Sequence, residues 1–383
     1  MSEEVTIAVD AMGGDDAPGV VLDGVAQALE ADGALHVVLC GPAEVVEPFA
    51  AAHERCEARV TTEVIGMGEH PAEAVRKKKD SSVVVGCRLV REGAAQGFFS
   101  AGSTGACLAA GTLVMGRIKG VARPALATVI PSPVRPVVMC DVGANADCKP
   151  AYLVQFAQMA TVYAERIVGI ENPRAALLNI GEEEAKGSQF AQEAHALLKE
   201  QLPNFAGNAE GGDILPAKFD VIVTDGFTGN VCLKTIEGTS KTLFKTLKGI
   251  MMRTPVTKLG ALAIKGGLKE LMAQVSPDTY GGAPLLGVKG ALLVGHGSSS
   301  AFAVKNGVLT TAGVVRAGVS EIIAQTVAKG AESATMNRTA RWPRRVRVRG
   351  LPCAWPPRPG GGAGRRRRTG THERSDQQRA EPS

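Results

Sequence analysis

The chain has 383 residues, 45% hydrophobic but only 4% aromatic, and 46 of them are glycine. That composition excludes a disordered or collagen-like chain and calls for a Val, Ala, Leu and Ile core with many tight turns. The formal charge of +5 is not a nucleic-acid signal, because residues 336–383 hold thirteen Arg against three acidic residues and so carry +10, leaving −5 for residues 1–335.

In chain order, the opening SEEVTIAVDA is acidic and contains no apolar run long enough for a signal peptide or a membrane span, so a cytoplasmic protein is expected. One unit then recurs about six times: a short β-branched run, a loop of Gly, Ser, Asp or Asn, and a helix-like segment. The instances are VTIAVDAMGGDDAPG into VVLDGVAQALEA, GFFSAGSTGA into CLAAGTLVMGRI, and VVMCDVGANADCKP into AYLVQFAQMATVYAERI. AALLNIGEEEAKGS into QFAQEAHALLKEQ, FDVIVTDGFTGN into VCLKTIEGTSKTLFKTLK, and ALLVGHGSSS into AFAVKNGVL complete the series. The spacing predicts an α/β fold with right-handed crossovers and a mostly parallel sheet flanked by helices. In such a sheet the six polar loops are expected to gather along one edge, where ligands bind.

Two segments break the pattern. Residues 240–275 set Leu, Phe, Ile and Met among Lys at helical spacing, which predicts a protruding amphipathic element, either a helical hairpin packed on its own core or on a second subunit, or a membrane-surface or partner-docking element. Residues 336–383 lack apolar periodicity and are rich in Arg, Pro and Gly, so they read as a disordered tail outside a catalytic domain of residues 1–335. The eight cysteines, Cys40, Cys56, Cys87, Cys107, Cys140, Cys148, Cys232 and Cys353, form no C-x-x-C pair and are expected to be reduced core thiols.

No dinucleotide fingerprint, P-loop, H-E-x-x-H or G-x-S-x-G is present. What remains is a set of Gly- and hydroxyl-bearing loops at helix starts, where unpaired backbone N–H groups and the helix dipole favour anions. The loops at Met12–Asp16 (with Gly13, Gly14 and Asp15), Ser100–Gly105 (with Ser103 and Thr104) and Gly295–Ser299 (with His296 and Ser298) are of this kind. Asn145 joins them as a candidate for a phosphate or acyl-thioester cradle, and His296 has the competing reading of a buried structural histidine. Asp10, Asp141 and Asp225 sit at strand ends, placed to orient a lysine rather than to hold a metal, since nothing spaces three ligands. In HPAEAVRKKKDSS, the cations Arg76, Lys78 and Lys79 precede Asp80-Ser81-Ser82, a natural helix N-cap, and form a basic face suited to an acidic protein partner.

The ordered blocks AVDAMGGDDAP, PAEAVRKKKDSS, SAGSTGA, RPALA, DVGANADCKP, LLNIGEEEAKG, TDGFTGNVCLKTIEG, GGAPLLGVKG and HGSS carry a family resemblance. From Val5 to about Ala331 the chain resembles the acyl-ACP:phosphate acyltransferases of bacterial phospholipid synthesis, with Ser103 and Ser188 where that family usually has Asn. The resemblance implies transfer of a fatty acyl group from acyl carrier protein to inorganic phosphate, without cofactor or metal, giving an acyl phosphate for a downstream glycerol-3-phosphate acyltransferase. A phosphotransacetylase-like transfer from acyl-CoA is the alternative. It further implies a fold similar to isocitrate and isopropylmalate dehydrogenases and to phosphotransacetylase, a homodimer, and peripheral membrane association through the amphipathic segment. Nucleic acid is not an expected partner. Lys186 and Asn230 fall where the resemblance puts the reacting centre: Lys186 to offset phosphate charge, Asn230 to hold the thioester oxygen or the phosphate.

Overall fold

The computed structural model describes residues 3–274 and 276–333, so the tail expected from residue 336 onward and Cys353 lie outside the described residues. The chain begins β1 (Val5–Asp10), α1 (Gly19–Ala31), β2 (Leu35–Gly41), α2 (Ala43–Ala52), β3 (Cys56–Val60), α3 (Pro71–Lys77), α4 (Ser82–Glu92) and β4 (Gly97–Ser100). It continues through α5 (Thr104–Ala110), which runs into a π-helical turn at Gly111–Met115, then β5 (Ala125–Ile130), β6 (Val137–Cys140) and α6 (Pro150–Tyr163). β7 (Ala175–Leu178), α7 (Gln189–Gln201), β8 (Phe205–Ala209), β9 (Val221–Val223) and the long helices α8 (Gly226–Met251) and α9 (Pro255–Gln274) follow. β10 (Ala283–Leu286), β11 (Ala291–Val294), α10 (Ala301–Arg316) and α11 (Val319–Ser333) complete the fold. All six expected strand–loop–helix units are present.

The strands form one sheet in the order β3-β2-β1-β4-β11-β10-β5-β6-β9-β7-β8. β3, β2, β1, β4 and β11 run parallel to one another, and so do β6, β9, β7 and β8. Between these blocks the pairs β11–β10, β10–β5 and β5–β6 are antiparallel. Most pairings are therefore parallel, as expected, but direction reverses three times and the two blocks point opposite ways. Two of the reversals come from connections too short for a crossover helix, and the third is the pairing of β10 with the sequence-distant β5. β10 turns into β11 through residues 287–290, where Gly287 and Gly290 take φ of +90° and +82°. β5 turns into β6 through the proline-rich residues 131–136.

The expectation of one shared edge is corrected by this reversal. The exits of β1, β4 and β11 leave one edge of the sheet, and those of β6, β9 and β7 leave the other. Helices cover both faces. Val21, Val25, Ala28 and Leu29 of α1 lie on one stripe and pack with α6, α7, α10 and α11 against one face. α1 crosses α10 at Gly24, where a Cβ would sit 2.5 Å from that of Val304. The second face is covered by Val83, Val84, Val85 and Cys87 of α4 and Ala106, Cys107 and Ala110 of α5. Cys40, Cys56, Cys87, Cys107 and Cys140 are buried and unpaired, as expected of core thiols, while Cys148 and Cys232 are half-buried.

α8 and α9 give the expected helical pair over residues 240–274. Their apolar side chains face outward: Leu243 is 64%, Leu259 70% and Val256 80% exposed. Among the described residues no single helix is long and apolar enough to cross a membrane.

Candidate active site

At the first edge the exits of β1, β4 and β11 interlock. The hydroxyl of Ser100 donates to Asp10 Oδ2 at 2.7 Å and accepts from the Gly102 amide at 3.0 Å, while Asp10 Oδ1 accepts from the Met12 amide at 3.0 Å. Burial lifts the Asp10 carboxyl above its usual value against the pull of hydroxyls from Ser82 and Ser100. Gly13 fits only because it lacks a side chain: a Cβ there would lie 2.7 Å from the Gly102 amide nitrogen and 2.8 Å from Asp10 Oδ2. The Asp15 amide donates to the Gly297 carbonyl at 2.7 Å, tying the third loop to the first. A small hollow lined by Gly13, Gly14, Ala101, Gly297 and Ser299 lies among them.

Helices α1, α5 and α10 all begin at this edge, so their positive ends share it. Ser103 caps α5 by accepting from the Ala106 amide at 3.4 Å, and Ser300 caps α10 by accepting from Ala303 at 3.2 Å. Thr104 is exposed and Gly105 abuts Pro71 of α3. His296 is exposed rather than structural. Its Nδ1 accepts from the Ser298 amide at 3.2 Å, which leaves Nε2 as the N–H facing outward.

At the second edge Asp141 organises the exit of β6. Its Oδ1 accepts from the amides of Leu126, Gly143 and Ala144 at 3.0–3.1 Å, and its Oδ2 from the backbone and side-chain nitrogens of Asn145, both at 2.8 Å. Burial still holds the Asp141 carboxyl above its usual value. The Asn145 side chain also donates to the Pro124 carbonyl at 2.8 Å, so it is structural at this exit. Its carbonyl accepts from the Gly226 amide at 2.7 Å, docking the first turn of α8. A Cβ on Gly229 would lie 1.9 Å from the Asp141 carbonyl oxygen, so only glycine permits this approach. Asn230 follows immediately, exposed and inside α8 rather than in a turn. It stands beside Gly143, where a Cβ would lie 3.8 Å from its Oδ1.

Asp225 caps α8, accepting from the amide and hydroxyl of Thr228 at 2.9 and 2.7 Å. None of Asp10, Asp141 and Asp225 orients a lysine, as was expected of them; each holds backbone amides, because a strand-end carboxylate next to its own loop meets those donors first. Lys186 lies on the exposed loop after β7, its aliphatic stem against Gly181. Among the described residues neither its ammonium nor the Asn230 amide has a hydrogen-bonding partner.

The basic segment divides. Lys78 Nζ is engaged by the Val64 carbonyl and Glu69 Oε1, both at 2.7 Å, and so braces the preceding loop, whereas Arg76 and Lys79 are exposed. α4 begins after Ser81 as expected, but the Ser81 hydroxyl donates to the Lys78 carbonyl and Asp80 is taken by Thr62.

Residues 5–322 match the family model described as fatty acid synthesis protein. A phosphate acyltransferase of Desulfitobacterium hafniense (strain Y51) is 48% identical over 321 residues, 83% of this chain and 96% of that protein. The chain belongs to the phosphate acyltransferase family. A second phosphate acyltransferase, of Halothermothrix orenii, is 43% identical over 332 residues, 85% of this chain and 99% of that protein.

Two solved structures share the fold of this acyltransferase. A phosphotransacetylase from Streptococcus pyogenes superposes with a TM-score of 0.52 at 17% identity, covering 83% of this chain and 94% of that one. A branched-chain phosphotransacylase from Enterococcus faecalis V583 also gives 0.52, at 15% identity over 81% and 99%. The expected likeness to phosphotransacetylase therefore holds.

The two positions at which the resemblance departs from this sequence are both helix caps. Ser103 caps α5, and Ser188 caps α7 by accepting from the Ala191 amide at 3.3 Å. Ser and Asn are equivalent in that role. Sequence reasoning missed the residues under the loops: Ser82 beneath Asp10, and Asn179, Gln192 and Asn208 around Lys186. Asn179 donates to the Lys186 carbonyl at 3.1 Å and Gln192 to the Ala185 carbonyl at 2.8 Å.

Proposed function

We propose that this acyltransferase moves a fatty acyl group from the thioester of acyl carrier protein to inorganic phosphate, with Lys186 and Asn230 at the reacting centre. A phosphate oxygen attacks the carbonyl carbon, a C–O bond forms, the C–S bond breaks, and the thiolate leaves with the electron pair. A thioester is already activated, so the protein has to position and neutralise rather than form a covalent intermediate. Lys186 offsets phosphate charge, and the Asn230 amide donates to the oxygen on which negative charge grows.

One observation carries this reading: in a member of this family, two hydrogen-bond donors stand exposed and unpaired on backbone that buried groups hold fixed. The glycine edge, with Gly13, Gly14, Ser100, Thr104, Gly105 and Ser298 around three helix starts, is assigned to an anionic group. Strand twist supports cooperation between the edges. At about 20–25° per step, the four steps from β4 to β6 turn the exits through roughly 80–100°, so they do not diverge as in a flat sheet.

Arg76 and Lys79 are assigned to an acidic carrier surface. The α8–α9 pair is assigned to peripheral attachment at an anionic membrane, because residues 240–274 carry seven Lys and Arg against one Glu beside an exposed apolar face. A homodimer, a cytoplasmic site of action, a catalytic domain ending near residue 335 and hand-over to a glycerol-3-phosphate acyltransferase belong to the same reading. Lys186→Ala and Asn230→Ala test its centre. Each should lower turnover about 10²–10³-fold with an unchanged melting temperature; near-normal acyl phosphate formation by both would refute the assignment.

A further inference from the structure

His195 of α7 and Asn208 of β8 are buried, at 4% and 3% exposure. Burying such a polar pair costs free energy that an apolar pair packing the same helix on the same strand would not incur. The two are bonded to each other and to one particular carbonyl. His195 Nδ1 lies 2.8 Å from Asn208 Oδ1, and Asn208 Nδ2 donates to the Glu183 carbonyl at 2.9 Å. That same carbonyl accepts from the Lys186 amide at 3.1 Å. The tautomer follows from the chain of donors. Asn208 spends its amide on Glu183, so its oxygen faces the imidazole, and Nδ1 must carry the hydrogen. The ring is packed from another side by the Phe205 ring, edge-on at 5.0 Å, while the nearby Glu184 is paired with Lys199.

We propose that His195 and Asn208 are positioning residues for Lys186. By fixing the Glu183 carbonyl they set where the Lys186 backbone sits and in which direction its side chain leaves the loop. Exposed salt bridges hold the loop weakly, whereas a buried bond that leaves a desolvated donor when broken holds it firmly. This inference rests on the assignment of Lys186 to the reacting centre, and the test separates the two.

Steady-state kcat and KM are measured with acyl carrier protein thioester and phosphate for the wild type, His195→Phe, His195→Asn, Lys186→Met and His195→Phe/Lys186→Met. His195→Phe keeps a ring but loses the donor to Asn208; kcat should fall about tenfold or more while KM for the acyl donor stays within about twofold. His195→Asn puts an amide N–H near the place of Nδ1 and should restore most of the loss. In the Lys186→Met background His195→Phe should cost less than about twofold, since the group it positions is gone. A wild-type kcat for His195→Phe, or the same loss in both backgrounds, would overturn the proposal. Full activity of Lys186→Met would instead overturn the reacting-centre assignment. If His195→Phe does not fold, the same cycle with Asn208→Asp, which keeps the acceptor for His195 and removes the donor to Glu183, decides on the same outcomes.

Discussion

The two sets of strand exits start from the same local recipe, a strand, a few small polar residues and a helix start, and end as different surfaces. At the β1, β4 and β11 exits the loops press on one another so closely that Gly13 has no room for a methyl group, and what they offer is chiefly backbone. At the β6, β9 and β7 exits the loops are held from below by Asp141, Asn179 and Asn208, and what stands out is side chains, Asn230 and Lys186. The difference lies in where the loop amides and carbonyls find partners. A carboxylate that gathers amides under one loop leaves that loop's outward side chains free for chemistry. A loop tied to its neighbours leaves helix-start amides free instead.

The comparison can be broken most forcefully at Gly229. A Cβ only 1.9 Å from the Asp141 carbonyl oxygen forces α8 away from its cage, so Gly229→Ala should cost about 1–3 kcal/mol in denaturant unfolding and lower turnover by displacing Asn230. An unchanged midpoint and rate would mean that the second edge is not built on that contact.

The first edge is probed through pH. Burial raises the Asp10 carboxyl above its usual 3.8, so the native state holds that proton more tightly than the unfolded chain does. Its contribution to stability is complete below the unfolded value and is lost as pH rises through the higher native one. Asp10→Asn removes this dependence. The variant's stability relative to wild type should improve as pH rises above the usual carboxylate value of 3.8 in denaturant titrations; a difference that stays flat or moves the other way would contradict the burial of Asp10 as the dominant influence.

The smallest effect is expected at Ser188. Ser188→Asn exchanges one good N-cap for another and should move the unfolding midpoint by no more than about 0.5 kcal/mol, whereas Ser188→Ala should cost about 1 kcal/mol.

The six strand–loop–helix units were legible because each is local: a β-branched run, punctuation by small residues, and an apolar stripe at helical spacing. The reversal of direction was not read, although its signals are present in the glycine pair at 287 and 290 and in the prolines between β5 and β6. Hairpins written in four to six residues are easily absorbed into neighbouring units when a crossover is expected. The glycine loops stand out in the sequence as small-residue punctuation after strands, and Lys186 and Asn230 stand out only through the family resemblance. Their supports do not, because Asp10 meets Ser100 across 90 residues and His195 meets Asn208 from a different element. Asn230 also looked like part of a loop, since nothing in GFTGN suggests a helix until Asp225 is seen as its cap.

The most direct test supplies purified protein with phosphate and either acyl carrier protein thioester or acyl-CoA, and follows acyl phosphate by mass spectrometry. Acyl phosphate should form from the carrier-protein thioester, depend on added phosphate, and be made far more slowly from acyl-CoA. Equal or preferred use of acyl-CoA, or no acyl phosphate from the carrier-protein thioester, would contradict the proposed reaction.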